Sequence, residues 1–469
     1  LFTRLNRFSP LQDIERRQAI LSRASTATRT QLDRLNALTA NLANPSLKAS
    51  ARQRAVDESE ALQDALFRQL PVLAPRLIEV GVVAQRLPPD GALLEFQRFS
   101  PHHPGRREEQ SWDKPRYLAL VLDPSGRVQA ADLGEAEPLD RAIAAALDRN
   151  RRQEPGSDQA WALVAERLFL PLRTSLAGRR HLLIAPDGQL HRVPFSALAL
   201  LAGTDKPLLT GVTLQTIVSG RDLVPVPGSH PRPTAPLVLA DPTTSGWAPL
   251  ARAAAEGEAV ATRLGVQANL GPAASVALLE QARGPRILHV AAHGYFQPQD
   301  FQPQDNPTNS DRGDPLLASG LVLAGAVKAR LPGHQAQGTS PAAPASGDDG
   351  YLTAQEAARL QLEGTDLVVL SACETGRGSY RSGEGLFGLQ RALTVAGARG
   401  TLLSLWKVPE HATETFMGRF YTLLGQGVAP AEAVRRVQAE FRSQPRIDGW
   451  SDPYYWAGWQ YSGPPDHLK

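Results

Sequence analysis

Cysteine is almost absent: Cys373 is the only one in 469 residues. A lone thiol rules out an internal disulfide framework and a thiolate-rich metal site, and it leaves the compartment open. Long apolar runs are missing too, because charges or prolines interrupt every stretch before it reaches the length of a membrane span. Nor is there an excess of one charge. The formal net charge is +3, acids and bases alternate finely, and arginine pairs such as Arg16–Arg17, Arg106–Arg107 and Arg151–Arg152 stand apart. Neither nucleic acid nor a membrane surface is therefore expected as a direct partner. The chain opens Leu1-Phe2 without an initiator methionine, which fits a fragment or a processed product and weakens any inference from a missing signal peptide. A cytoplasmic location is the working expectation.

What is present is ordinary globular sequence, 42% hydrophobic and 21% charged, long enough for two or three domains. Residues 1–75 read as a helical hairpin. Leu32, Leu35, Leu38 and Leu42 form one stripe at helical spacing, Leu62, Leu66 and Leu70 another, and Asn44-Pro45-Ser46 separates them as a stop and an N-cap. Residues 76–230 alternate strand and helix: Ala92–Phe96 and Tyr117–Leu122 as paired strands, Trp161–Leu176 as an amphipathic helix, His181–Ala185 as a short buried strand. The proline-rich segment Arg221–Pro236 reads as a linker. Residues 231–469 hold a second α/β series, with strands at Leu237–Ala240, Arg286–Ala292, Asp366–Leu370 and Thr401–Val408, so a mostly parallel sheet flanked by helices is expected. Two polar insertions interrupt it, one carrying the tandem copy Phe296–Asp300 and Phe301–Asp305, the other spanning Ala329–Gly350. Both read as exposed loops.

Two strands in this series end in reactive side chains. In Arg286-Ile-Leu-His-Val-Ala-Ala-His-Gly294 the apolar run ends at His293, where Gly294 permits a sharp turn. In Asp366-Leu-Val-Val-Leu-Ser-Ala-Cys-Glu-Thr-Gly376 the thiol of Cys373 falls just past the strand. Ligands of open parallel sheets bind beyond the carboxyl ends of the strands, so neighbouring strands would present both groups at one edge. An imidazole beside a thiol promotes the thiolate and then protonates a leaving amine. The backbone N–H groups of Gly294 and Cys373 are the expected oxyanion donors. No acid has the spacing of a third member, so a backbone carbonyl is the alternative for orienting the ring. A lone cysteine is most often a small buried hydrophobe; polar Ser371, Glu374 and Thr375 around Cys373 argue for reactivity instead. His289 lies within its strand and reads as a core or supporting histidine.

These motifs, His289-Val-Ala-Ala-His293-Gly294 and Leu370-Ser-Ala-Cys373-Glu-Thr-Gly376, resemble the CHAT family of caspase-like, separase-related cysteine peptidases. Further segments match in order: Ile184–Phe195, Pro315–Leu323, Gly383–Leu393 as the helix after the cysteine, Ala396–Gly400, Ser404–Val408 and Pro453–Ala457. The resemblance covers roughly residue 78 onward. It implies a degenerate caspase-like half to about residue 230, an active half after it, and N-terminal helices that end a tetratricopeptide-type array, although no complete repeat is present. It further implies a cysteine endopeptidase acting on a protein substrate through a His293–Cys373 dyad and a thioester acyl-enzyme, with no metal or cofactor, regulated by an activating partner or upstream helical repeats. The pocket for the residue before the scissile bond would involve Asp241, Ser404 and Trp406. Asp241 there would favour a basic residue and Trp406 an apolar one, while the plainer reading of Asp241-Pro242 is a turn after a strand. Departures from the family pattern are Pro409-Glu410-His411 after the tryptophan strand and the length of the two insertions.

Other readings fit less well. Gly383-Glu-Gly385-Leu-Phe-Gly388 matches a dinucleotide fingerprint, but its first glycine stands about a dozen residues past its strand. A cysteine phosphatase needs an arginine where Ser379 stands. The alternative that survives is a non-catalytic scaffold or sensor module on the same fold.

Overall fold

The computed structural model describes residues 1–2, 5–6, 25–42, 49–69, 77–105, 111–201, 209, 211–225, 231–296, 319–330, 349–372, 378–381, 385–443 and 450–465. Before residue 230 the chain supplies β1 (Gly91–Phe99), β2 (Arg116–Leu122), β3 (Val128–Glu135), β4 (His181–Ala185) and β5 (Thr213–Thr216). After it come β6 (Leu237–Pro242), β7 (Ala268–Gly271), β8 (Ile287–Ala291), β9 (His293–Phe296), β10 (Ser319–Val322), β11 (Tyr351–Thr353), β12 (Leu367–Ser371), β13 (Gly378–Arg381), β14 (Gly385–Gly388), β15 (Gly400–Ser404) and β16 (Trp459–Ser462). The main helices are α1 (Thr26–Leu42), α2 (Ala49–Gln69), α3 (Ala136–Arg152), α4 (Ser157–Phe169), α5 (Ala253–Leu264), α6 (Leu389–Val395), α7 (Glu410–Gly425) and α8 (Pro430–Arg442).

Eleven strands form one sheet in the order β3-β2-β1-β4-β5-β16-β15-β12-β8-β6-β7. Only three of its ten pairings are antiparallel, β3/β2, β2/β1 and β16/β15, so the sheet is mostly parallel. Because β16 runs parallel to β5 but against β15, the parallel strands β1, β4 and β5 point opposite to β6, β7, β8, β12 and β15. The tips of β8, β12 and β15 therefore share one edge, and those of β4 and β5 lie at the other.

Alternation along the strands sends side chains to both faces. In β12, Leu367 and Val369 join the larger core under α3, α4, α5, α7 and α8, while Val368 and Leu370 join a second core with α6. The larger core holds Trp161, Phe416, Phe420 and Trp459, all with almost no solvent exposure. Each such side chain contributes about 1.5–3 kcal/mol of transfer free energy.

The join between the two parts is polar. Gly463 N–H donates to the Thr216 carbonyl at 2.9 Å, Gln215 Nε2 to the Gly463 carbonyl at 2.7 Å, and Ser196 Oγ to the Trp459 carbonyl at 2.7 Å. Thr213 Oγ1 donates to Glu432 Oε2 at 3.0 Å, tying β5 to α8.

The N-terminal hairpin has its helices at Thr26–Leu42 and Ala49–Gln69, with Leu38 and Leu66 buried and an Arg34–Glu58 ion pair at 2.7 Å across them. The Asn44-Pro45-Ser46 stop and Leu70 lie outside the described residues, as do most of both insertions. Three sequence expectations need correction. The linker expected from Arg221 begins inside the fold: Arg221 is buried in a 3-10 turn capped by Ser219, and its Nη1 donates to the Leu5 carbonyl at 3.0 Å. The strand expected to run to Val408 stops at Ser404, whose Oγ donates to the Trp406 carbonyl two residues on. The segment Gly383–Leu393, matched to a helix after the cysteine, instead contains β14, which pairs back on β13, and then the short α6. Gly383, Gly385 and Gly388 disfavour helix there.

Candidate active site

Strands β8 and β12 are direct parallel neighbours, and Ala291 stands opposite Ser371 at their carboxyl ends. Two residues beyond Ala291 in sequence is His293; two residues beyond Ser371 is Cys373. The chain bends at Ala292, and His293 opens β9, pairing against β10 with His293 opposite Val322 and Gly294 opposite Leu321. Cys373 lies outside the described residues; Ser371 and Ala372, which lead to it, are described.

The half-exposed imidazole of His293 is held from one side. Its Nε2 lies 2.7 Å from the Ala248 carbonyl, and the Trp247 ring sits 5.3 Å away, centroid to centroid. A carbonyl only accepts, so Nε2 carries a proton there, and Nδ1 is the ring nitrogen turned away from the Ala248 carbonyl. The loop between β6 and α5 that supplies Trp247 and Ala248 is itself pinned. Ser245 N–H donates to the Ala326 carbonyl at 2.8 Å, and Lys328 N–H returns a bond to the Ser245 carbonyl at 2.9 Å. Trp247 Nε1 donates to the Tyr351 hydroxyl, which donates to the Val327 carbonyl at 2.7 Å. The orienting group is thus a backbone carbonyl. Its residue could not be named from sequence, because a carbonyl carries no side-chain signature.

A small cavity opens at the tips of β8, β12 and β15 on the face covered by α5 and α7. Glu256, Ala291, Ser371, Ser404, Thr413 and Trp459 are among its walls. Of the pocket residues named from sequence, Ser404 lines it, whereas Asp241 and Trp406 do not. Asp241 is a bulge residue in β6 with φ +48°, the left-handed region that aspartate tolerates better than most residues. Trp406 is packed in the core: its Nε1 donates to the Tyr454 carbonyl at 2.9 Å, and its ring stacks on Trp161 at 6.5 Å.

Sequence reasoning missed Glu256, although a signal was there. On α5 the buried positions are Ala253, Glu256, Gly257, Val260 and Ala261, so an acid stands in the apolar stripe. The residue is 5% exposed, and its Oε1 lies 3.3 Å from His289 Nε2, close but not aligned as a hydrogen bond. His289 is fully buried, and its Nδ1 meets the Tyr421 hydroxyl at 3.0 Å. Burial, and then the nearby Glu256 charge, push the Tyr421 hydroxyl well above its ordinary pKa, so it stays protonated and able to donate. Among the described residues no group of three or more His, Cys, Asp or Glu is placed to hold a metal ion, and no helix is long and apolar enough to cross a membrane.

Among solved structures the chain is similar to the separase–securin complex of Saccharomyces cerevisiae, with a TM-score of 0.45 at 9% identity over 93% of this chain and 33% of that one. It is also similar to gingipain R, an Arg-specific cysteine proteinase, with a TM-score of 0.38 at 10% identity over 66% of this chain and 67% of that one. Among curated proteins it is 26% identical over 307 residues to tetratricopeptide repeat protein 28 of Mus musculus and 26% over 310 residues to that of Homo sapiens. Each match covers 61% of this chain, which spans only 12% of the length of either relative. The CHAT domain model matches residues 160–464, a span that takes in β5 and β16, the histidine turn and the cysteine motif together. A match over that much of the sequence settles its kinship: the chain belongs to the CHAT domain family.

Proposed function

We propose that the chain is a cysteine endopeptidase in which His293 and Cys373 form the catalytic dyad. The observation that carries this reading is the parallel register of β8 and β12, which sets Ala291 beside Ser371, two residues ahead of the imidazole and of the thiol. With Nε2 turned to the Ala248 carbonyl, Nδ1 is the atom that exchanges a proton with the sulfur. The thiolate attacks the substrate carbonyl carbon, and the resulting oxyanion is met by the backbone N–H groups of Gly294 and Cys373. His293 then delivers its proton to the leaving amine, the peptide bond breaks, and water hydrolyses the thioester.

Residues 76–230 act, in this proposal, as a degenerate half that supports residues 231–469 through the shared sheet, and residues 1–75 as a helical hairpin. The kinship with proteins named for tetratricopeptide repeats supports helical repeats or a protein partner as the regulator. The test is labelling of the full chain by an electrophilic peptide, read by intact mass. Modification at Cys373 that His293→Ala reduces at least a hundredfold, within the range of one general base, is the expected result. New substrate N-termini should also appear in extracts with wild type and not with Cys373→Ala. Equal labelling in the His293→Ala variant refutes the dyad, and failure of both readouts returns the chain to the scaffold reading.

A further inference from the structure

The cavity at the strand tips has an electrostatic imbalance. Glu256 and Glu410 both line it, and the one cation among its described wall residues, Arg252, is already engaged by Glu414 Oε2 at 2.6 Å. Glu410 accepts a hydrogen bond from the Arg252 backbone N–H at 3.0 Å. Glu256 is less well provided for. Its Oε1 lies 3.3 Å from His289 Nε2 without hydrogen-bond alignment, and both atoms are buried with no hydrogen-bond partner. No other partner of the Glu256 carboxylate exists among the described residues, and Glu256 lines the cavity. Ser371 Oγ, on the same wall, is also buried and without a partner. A carboxylate this buried is costly unless a cation or donors meet it.

The geometry assigns this cavity to a cationic substrate side chain, arginine or lysine, with Glu256 as its counter-ion and Ser371 Oγ as an acceptor. Ser371 and Ala372, the two residues that precede Cys373 in sequence, line the cavity, which in this assignment makes its occupant the side chain just ahead of the scissile bond. Leu250, Val408 and Trp459 supply apolar wall for the methylene stem, as long basic side chains require. Asp241, the residue that sequence reasoning nominated for a basic side chain, is outside the cavity and has no part in this assignment. The inference rests on the peptidase reading for what delivers the side chain, but the cation site is a property of the cavity alone.

Two measurements separate the two ideas. In the first, the full chain is treated with peptidyl acyloxymethyl ketones bearing Arg, Lys, Leu or Asp next to the electrophile, and rates of Cys373 labelling are compared. The Arg and Lys probes should react at least tenfold faster than Leu, and Glu256→Gln should reduce the Arg-to-Leu ratio at least tenfold, with Glu256→Asp between them. Equal rates for Arg and Leu in wild type, or an unchanged ratio in Glu256→Gln, overturn the subsite and leave the peptidase reading intact. In the second, benzamidine binding to Cys373→Ala is followed by calorimetry, where no catalysis is needed. Saturable binding that weakens at least tenfold on adding Glu256→Gln or, if that variant does not fold, Glu256→Asp, supports the site even when no probe labels. Absence of benzamidine binding to Cys373→Ala overturns it.

Discussion

Replacing Gly257 with alanine should destabilise the protein, although the same change in an exposed helix normally stabilises it. Gly257 lies on the buried stripe of α5, and a methyl group there would stand 2.4 Å from Ala240 Cβ on β6. The carbon–carbon optimum is about 3.5–4.0 Å, so helix and strand must part by about 1.1 Å or more. Alanine recovers about 1 kcal/mol of helix propensity. Overpacking a close contact costs about 1–3 kcal/mol, and Ala240 is fully buried in a strand paired on both sides, with little room to yield. The balance is a net loss of about 1 kcal/mol, read as a lower midpoint in urea with unchanged slope. Combining Gly257→Ala with Ala240→Gly moves the methyl from strand to helix and should restore the contact, giving a favourable coupling of about 1–2 kcal/mol in the double-mutant cycle. A higher midpoint for Gly257→Ala alone, or strict additivity in the cycle, would refute the close approach of α5 to the sheet. Glu256 is the preceding residue, so the same shift should also alter cavity selectivity.

Trp406→Ala should cost about 3–5 kcal/mol by chemical denaturation, because the ring is core rather than pocket; a loss under 1 kcal/mol would contradict its packing on Trp161. Glu432 offers a pH test. Burial pulls its carboxyl upward, but the Arg435 and Arg436 guanidiniums and the Thr213 hydroxyl outweigh that and hold its pKa at about 2, against 4.5 for the free group. Its stabilisation is therefore present above pH 4.5 and is lost as the pH falls towards 2. Glu432→Gln should cost about 1–3 kcal/mol at pH 7, with the gap to wild type closing in acid; a gap independent of pH would refute the pairing.

The strands legible in the sequence were those made of apolar runs. Leu118–Leu122, Leu182–Ala185, Leu237–Ala240, Ile287–Ala291 and Leu367–Leu370 are buried on both faces or nearly so, and apolar residue types report that directly. Within the eleven-stranded sheet the strands left unread were β3, β5, β7 and β16. Edge strands β3 and β7 carry mixed side chains because half their surface is open. In β5 and β16 the obstacle is different: Thr213, Gln215, Thr216, Gln460 and Ser462 are buried yet polar. Several bond across the join, Gln215 to the Gly463 carbonyl and Gln460 Oε1 from Phe195 N–H at 3.0 Å. Their types report a partner far away in sequence, which a local window does not contain. At the candidate site, the histidine was legible from its place after an apolar strand. The Ala248 carbonyl and the Glu256 carboxylate reach the site from β6–α5, and their roles exist only once the sheet has formed.

One consequence of the strand order concerns synthesis. The last of the described strands in sequence, β16, is not at a margin but in the middle, with β5 on one side and β15 on the other. While a ribosome is still delivering it, the earlier strands present two naked borders, each able to template a foreign chain. Closure has to wait for a segment more than two hundred residues from β5, which argues for slow assembly and for dependence on chaperones. Translation stopped just short of Trp459 would leave every residue of the histidine and cysteine motifs in place and still yield two half-sheets with nothing between them.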